Sequence, residues 1–408
     1  MSINPETLPA RVRNIAVNTP RGLAGSLTHD AQYQFSYTSD GEKVALAMPA
    51  RPQAYNRGAI HPIFEMNLPE GYVRRYLSER LRRYTRVDDM LFLAIQGSNG
   101  IGRLNYDAGL DGEATTPESL AEILHWDGQQ GLFTELLERH LFDTTLSGMQ
   151  PKVAITAASA KASLVHTSYI VKTSGDDYPQ LSLNEYVCMR LARAAGLATP
   201  NFWLSDDQTL FIIERFDCQQ ELPLGMEDFC VLMGRSGEDR YLGSYENAAK
   251  VLTTYTHSHT ELVRFFDYVM FNSLIGNGDA HLKNFSLLYE SPEGAPWLSP
   301  IYDVVCTGVY PLEAPTLALK MNNSRQFPDR NGLMHFAKQL GVKAARLRLD
   351  AMLDQLHEEL PRITELQGFP ALQTKLHEHL AHGAAIEGTQ PGIRRKYNPK
   401  DTLRKFPL

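Results

Sequence analysis

Two apolar runs, Phe265-Phe266-Asp267-Tyr268-Val269-Met270-Phe271 and Phe285-Ser286-Leu287-Leu288-Tyr289, bracket a short polar string, Gly276-Asn277-Gly278-Asp279-Ala280-His281-Leu282-Lys283-Asn284. Periodicity predicts a helix over 259–276 before the string and a strand over 284–289 after it. The intervening loop therefore has to display its polar side chains at a fixed place between two packed elements. Asp279 and Asn284 stand five positions apart in it, and Asp303 follows about twenty residues later in Ile301-Tyr302-Asp303-Val304. A carboxylate, an amide and a second carboxylate in that order are what phosphoryl transfer asks of a loop. One acid orients the attacking hydroxyl, and two oxygen donors hold Mg²⁺.

The rest of the chain supplies elements in the order that such a loop needs. Short turn-bounded strand candidates occur at 13–18, 22–28 and 32–37, followed by helices at 72–84 and 87–95 and a closing strand at 100–104. Residues 107–117 read as a polar linker. Helices at 117–125 and 129–140 are expected next, then paired strands at 152–157 and 163–173. A helix at 183–196 should start after Ser182 as N-cap and stop at Gly196, and strands at 201–205 and 209–216 complete a small sheet. From 224 onward helical patterns dominate, at 226–234, 244–256, 259–276, 328–340, 343–358 and 370–385, with short strands at 284–289 and 317–320. The expected class is α+β: a bilobal, protein-kinase-like fold with a β-rich N-lobe, an extra N-terminal subdomain and a mostly helical C-lobe. The divisions fall at 1–110, 111–223 and 224–390, with a basic tail at 391–408.

Further residues extend the constellation. Lys172 ends the apolar strand Ser168-Tyr169-Ile170-Val171-Lys172, and Glu185 follows thirteen residues later near the start of the next helix. A strand lysine positioned by a helix glutamate holds nucleotide phosphates in kinases. Taken singly, the pair also reads as a surface lysine and a helix-start acid favoured by the macrodipole. Phe211-Ile212-Ile213-Glu214-Arg215-Phe216-Asp217 runs from apolar strand into charge, where an interlobe hinge would offer backbone groups to adenine. Lys283 suits the transferring phosphate as a point cation, and His281 either touches phosphate or supports the loop. In Thr144-Thr145-Leu146-Ser147-Gly148-Met149-Gln150-Pro151-Lys152, Ser147 is a candidate phosphate contact or phosphorylation site and Lys152 a second phosphate cation. An ordinary turn would have the same sequence.

Taken together, Leu146-Ser147-Gly148-Met149-Gln150-Pro151-Lys152, Tyr169-Ile170-Val171-Lys172, Asn184-Glu185-Tyr186, Glu214-Arg215-Phe216-Asp217, Glu227-Asp228-Phe229-Cys230, Asn277 to Ser286 and Tyr302-Asp303 resemble the HipA-like serine/threonine kinases, toxins of bacterial toxin–antitoxin modules. The resemblance implies ATP and Mg²⁺ as cofactors. It implies that Lys172 contacts ATP phosphates, that Glu214 to Phe216, with Asp217 beside them, bind adenine, that Asp279 is catalytic and that Asn284 and Asp303 hold Mg²⁺. It also implies that Ser147 is autophosphorylated, which ejects its loop and switches the kinase off; a dianion beside ATP phosphates repels them. Expected partners are a small helix-turn-helix antitoxin, DNA through that antitoxin, and a protein substrate of the aminoacyl-tRNA synthetase class. One departure is Met226-Glu227-Asp228, where the family often has Gln-Glu-Asp. Two other readings remain open: a catalytically weak module that docks antitoxin and DNA, and a small-molecule kinase on the same fold.

Charge and cysteines narrow the setting. A net charge of −7 argues against direct, constitutive nucleic-acid binding. Cys188, Cys218, Cys230 and Cys306 form neither a disulfide framework nor a zinc spacing. No basic-then-apolar leader opens the chain and no apolar run is long enough for a membrane span, so a cytoplasmic protein is expected.

Overall fold

The computed structural model describes residues 2–110, 112–113, 119–125, 133, 136, 152–158, 166–219, 222–311 and 316–385. The Ser147 loop, most of the helix expected over 129–140, and the tail 391–408 lie outside the described residues.

The N-terminal unit is a five-stranded antiparallel sheet in the order Tyr55–Arg57, Tyr33–Tyr37, Gly22–His29, Asn14–Thr19, Asn105–Asp107. Alternation places Ile15 and Val17 on its buried face. Against that unit's core pack the helix Asp89–Gln96, buried from Met90 to Gln96, and the helix Gly71–Leu81, which buries Val73, Leu77 and Leu81 at fourfold spacing. The closing strand is Asn105–Asp107, not the expected 100–104. Side chains take the backbone donors of that earlier stretch: Ile101 N donates to Asn67 Oδ1 at 2.6 Å and Gly102 N to Asp217 Oδ2 at 2.7 Å.

The second sheet runs Phe202–Leu204, Leu210–Glu214, His166–Thr173, Lys152–Ala158, all antiparallel. Its register pairs Lys152 with Lys172 and Lys172 with Phe211, so these three project from one face. Val153, Val171 and Ile212 are likewise paired across and project from the other. That second face belongs to the same hydrophobic cluster as Ile15, Phe35 and Leu93 of the N-terminal unit. The first carries Phe211 and Ile213 into the larger cluster with Leu183 and Val187 of the helix Leu181–Ala194. This helix begins one residue before Ser182, which is no N-cap; Ser182 Oγ instead donates to Thr209 O at 2.9 Å and ties the helix to the sheet.

The C-terminal lobe assembles the helices Tyr245–Thr256, His259–Leu274, Arg330–Leu340, Ala345–Glu359 and Pro370–Ala384. Ser244, Ser258 and Asp329 cap three of them by accepting the amides of Asn247, Glu261 and Gly332. Between the lobes lies a three-stranded sheet, Gly225–Asp228, Ser286–Tyr289, Trp297–Leu298. The helix expected over 226–234 is therefore half strand. Its first residues pair with Ser286–Tyr289, and only Phe229–Leu232 coils, after Asp228 accepts the Val231 amide at 2.9 Å. Over 317–320 the expected strand is reduced to an isolated bridge between Lys320 and Ser244. Among the described residues, no helix is long and apolar enough to cross a membrane.

Candidate active site

The Asp279 loop leaves the buried helix His259–Leu274 through Gly276, whose φ of 71° lies in the left-handed region. A Cβ there would also collide with the His379 ring of the last helix, so glycine is required twice over. The loop then satisfies its own backbone in a largely buried setting. Asn277 Oδ1 accepts the Asp279 amide at 3.0 Å, and Asn277 Nδ2 donates to Asn272 Oδ1 at 2.7 Å. Thr307 Oγ1 accepts the Gly278 amide at 3.0 Å. His281 N donates to Asn284 Oδ1 at 2.9 Å, closing the single turn Leu282–Asn284.

Lys172 Nζ donates to Glu185 Oε1 at 2.6 Å and to Asp303 Oδ1 at 2.5 Å, joining strand, helix and the segment after the loop. Asn284 Nδ2 reaches Asp303 Oδ2 at 3.2 Å. Burial works to lower the Lys172 pKa, but Asp303 and Glu185 outweigh it and hold the ammonium above the usual lysine range. Burial works to raise the Asp303 pKa, and Lys172 and Lys152 overcome it, so that Asp303 stays ionised. Full burial lifts Glu185 to about 7 against the pull of Lys172. Lys152, buried opposite Lys172, is pushed below the usual lysine range by desolvation. Asp303 itself has φ 58°, a left-handed conformation that aspartate tolerates better than most residues. Asn184, which spacing did not single out for a role, grips the following segment twice: Oδ1 accepts the Cys306 amide and Nδ2 donates to Cys306 O, both at 2.9 Å.

On the other side of the loop, Tyr241 OH donates to Asp279 Oδ1 at 2.7 Å, and its ring meets the His281 ring edge-on at 5.1 Å. Burial, then Arg240, pushes His281 down to about 3, so the imidazole is neutral. Lys283 Nζ donates to Glu70 Oε1 at 2.6 Å, a contact from the N-terminal unit. Neither Tyr241 nor Glu70 had a sequence signal; they stand 38 and 213 residues from their partners.

The hinge residues separate. Phe216 meets the Tyr302 ring at 5.5 Å, and Tyr302 OH donates to Lys283 O at 2.8 Å, so Phe216 borders the loop. Glu214 Oε2 accepts from Asn201 Nδ2 at 2.7 Å. Asp217 is committed elsewhere. Its oxygens accept from Arg215 Nε at 3.1 Å, Arg215 Nη2 at 2.7 Å and the Gly102 amide at 2.7 Å, joining this segment to the N-terminal unit. Met226 packs against the N-terminal core, and the adjacent Glu227 accepts from Tyr289 OH at 2.8 Å and from the Leu46 amide.

The donors present suit a magnesium–nucleotide. Asp303 and Asn284 offer hard oxygen atoms, and Lys152 and Lys172 offer cations on the same side of the cluster. No group of three or more His, Cys, Asp or Glu placed to hold a metal occurs among the described residues. Mg²⁺ is commonly held by one or two protein oxygens and completed by phosphate and water. Holding it also requires the Asn284 amide to turn its oxygen toward Asp303, since Nδ2 faces that carboxylate here. Among the described residues, His281 Nδ1 is a buried polar atom with no hydrogen-bond partner, available to a phosphate oxygen or water.

A β-rich lobe carrying a lysine–glutamate pair, a hinge, and a helical lobe presenting an aspartate loop define a protein-kinase-like fold. The HipA-like C-terminal domain matches residues 144–363, more than half of the chain, and the HipA N-terminal domain matches residues 15–107. The chain belongs to the HipA family. It is 26% identical over 390 residues to "Putative kinase Y4mE" of Sinorhizobium fredii, covering 84% of this chain and 90% of that protein. It is 27% identical over 218 residues to the serine/threonine-protein kinase toxin HipA of Shewanella oneidensis, covering 45% of each. The structure of Shewanella oneidensis HipA with HipB and operator DNA superposes with a TM-score of 0.65 at 20% identity, over 90% of this chain and 96% of that one.

Proposed function

We propose that the chain is a Mg²⁺- and ATP-dependent serine/threonine protein kinase acting in the cytoplasm as the toxin of a toxin–antitoxin module. The observation that carries this reading is the Lys172–Glu185–Asp303–Asn284 cluster, assembled from four separate segments, one of which is the loop that also carries Asp279. A bound Mg²⁺–ATP supplies the phosphoryl group and the charge neutralisation for its transfer. Lys172, held by Glu185, and Lys152 bind the phosphates, and Phe216 with the neighbouring Glu214 borders the adenine side. Asn284 and Asp303 are the oxygen ligands. Asp279 orients the acceptor hydroxyl and accepts its proton, and Lys283 offsets charge developing on the transferred group. His281, neutral and buried, backs the loop and leaves Nδ1 for a phosphate oxygen.

By family membership, the partner is a small helix-turn-helix antitoxin, through which the protein reaches DNA, and the target is a translation protein of the aminoacyl-tRNA synthetase class. Ser147 is the proposed self-phosphorylation site that turns the kinase off. The test is incubation with Mg²⁺ and γ-labelled ATP, followed by peptide mapping. Wild type is expected to label on the peptide containing Ser147, and Asp279→Ala to lose at least about 100-fold in rate, as removal of a catalytic acid or base commonly does. Absence of any Asp279-dependent label overturns the kinase reading, whereas label on another peptide removes only Ser147.

A further inference from the structure

Among the described residues the site contains two lysine–glutamate pairs. In the first, Lys172 is held by Glu185 of the adjacent helix. In the second, Lys283 of the catalytic loop is held by Glu70, which belongs to the N-terminal unit. The second pair is about as short as the first, at 2.6 Å, and its lysine side chain is 10% exposed. Glu70 is the residue before the helix Gly71–Leu81 but does not cap that helix, so its carboxylate is turned outward to the C-terminal lobe. Its second oxygen meets Arg240 NH2 at 3.0 Å, and the nearby Glu65 accepts the Gly237 amide at 3.0 Å. Gly237 marks the convergence: a Cβ there would stand 3.5 Å from Glu65 Oε1, Glu70 Oε1 and Lys283 Nζ alike.

We propose that Glu70 is a positioning residue for phosphoryl transfer, so that the N-terminal unit completes the active site by orienting Lys283. An ammonium has three donors, so Lys283 can keep Glu70 and still offer a proton to a phosphate oxygen. A short charge-assisted bond fixes the direction of a side chain that otherwise samples many rotamers. Arg240, 3.0 Å from the other oxygen, holds the Glu70 carboxylate in place in turn. The inference rests on the kinase reading given above.

The test combines a chemical and a kinetic readout. In the protein without nucleotide, reductive methylation followed by mass spectrometry reports the reactivity of each lysine. Glu70→Gln is expected to raise modification of Lys283 several-fold while leaving Lys172 unchanged. In ATP turnover, Glu70→Gln is expected to lower kcat about tenfold, the equivalent of about 1.4 kcal/mol, with KM for ATP little changed. Glu70→Asp should recover part of the loss. Adding Glu70→Ala to Lys283→Ala should cost nothing further, since both remove one interaction. Additive losses, or equal Lys283 reactivity in wild type and Glu70→Gln, would show that Glu70 only glues two units together. Wild type without Asp279-dependent turnover would sink the kinase reading itself, and the methylation result would then judge the Lys283–Glu70 pair alone.

Discussion

In the proposed reaction the chemistry turns on Asp279, and a tyrosine side chain reaches one of its oxygens. Tyr241 OH donates to Asp279 Oδ1 as the acceptor hydroxyl of the proposed reaction would have to do. Tyr241 is 41% exposed and ends the turn Gly237–Tyr241, so little packing is lost when it changes. Tyr241→Phe is expected to raise ATP hydrolysis in the absence of protein substrate by up to about tenfold, as one hydrogen bond to a charged group is removed and water gains access. The melting temperature should stay within about 1 °C, as for most surface changes. A fall in hydrolysis would instead mean that Tyr241 supports Asp279. At this scale the sequence was legible where chemistry is local. Spacing singled out Asp279, Asn284 and Asp303 as candidates, and the structure brings Asn284, Asp303, Lys172 and Glu185 into contact. Tyr241, Glu70 and Asn184 were not found, because a polar contact across tens or hundreds of residues leaves no periodicity to read.

Among the elements, the segment Gly225–Leu232 shows how tertiary context overrides local pattern. Met226-Glu227-Asp228-Phe229 suits a helix by composition, yet pairing with Ser286–Tyr289 draws its first half into the sheet. The pairing places Glu227 in the core, where burial lifts its pKa to about 7. An unfolded glutamate titrates near 4.3, so the native state holds a proton that the unfolded chain has lost between those values. Stability from this group is therefore full below about pH 4.3 and falls as pH rises toward about 7. Glu227→Gln, a permanent mimic of the protonated acid, should match wild type in melting temperature near pH 4.5 and exceed it at pH 8. Paired thermal melts at several pH values check the sign. A variant less stable than wild type at pH 8 would mean that the fold favours the carboxylate and that the Glu227 pKa is not raised. Other elements were easier to read. Helices at 245–256, 259–274, 330–340, 345–359 and 370–384 carry long apolar faces, and serine or aspartate caps three of them.

For the whole molecule, the decisive fact is how the cores are shared. Sequence divisions at residue 110 follow a polar linker, but hydrophobic burial does not divide there. Val153, Tyr169, Val171, Leu210 and Ile212 of the second sheet are buried in the cluster that fills the N-terminal unit. Arg215, one residue past the strand Leu210–Glu214, donates to Asn99 O at 3.1 Å and Gly100 O at 2.6 Å, adding polar ties along the same seam. The lysine-bearing face of the sheet is thus held flat from behind by a unit that has its own strands and helices. Exposing five such side chains costs about 2 kcal/mol each, a sum of the same order as the net stability of about 5–15 kcal/mol for a whole domain. Expression of residues 119–408 alone is therefore expected to give insoluble protein, or soluble protein without a cooperative thermal transition. Co-expression of residues 1–110 should restore some of the transition by covering the exposed face. A soluble, cooperatively melting 119–408 fragment that binds ATP as tightly as the full chain would show that the kinase lobes stand alone. The N-terminal unit would then be an appended module and not the back wall of the sheet that carries Lys152 and Lys172.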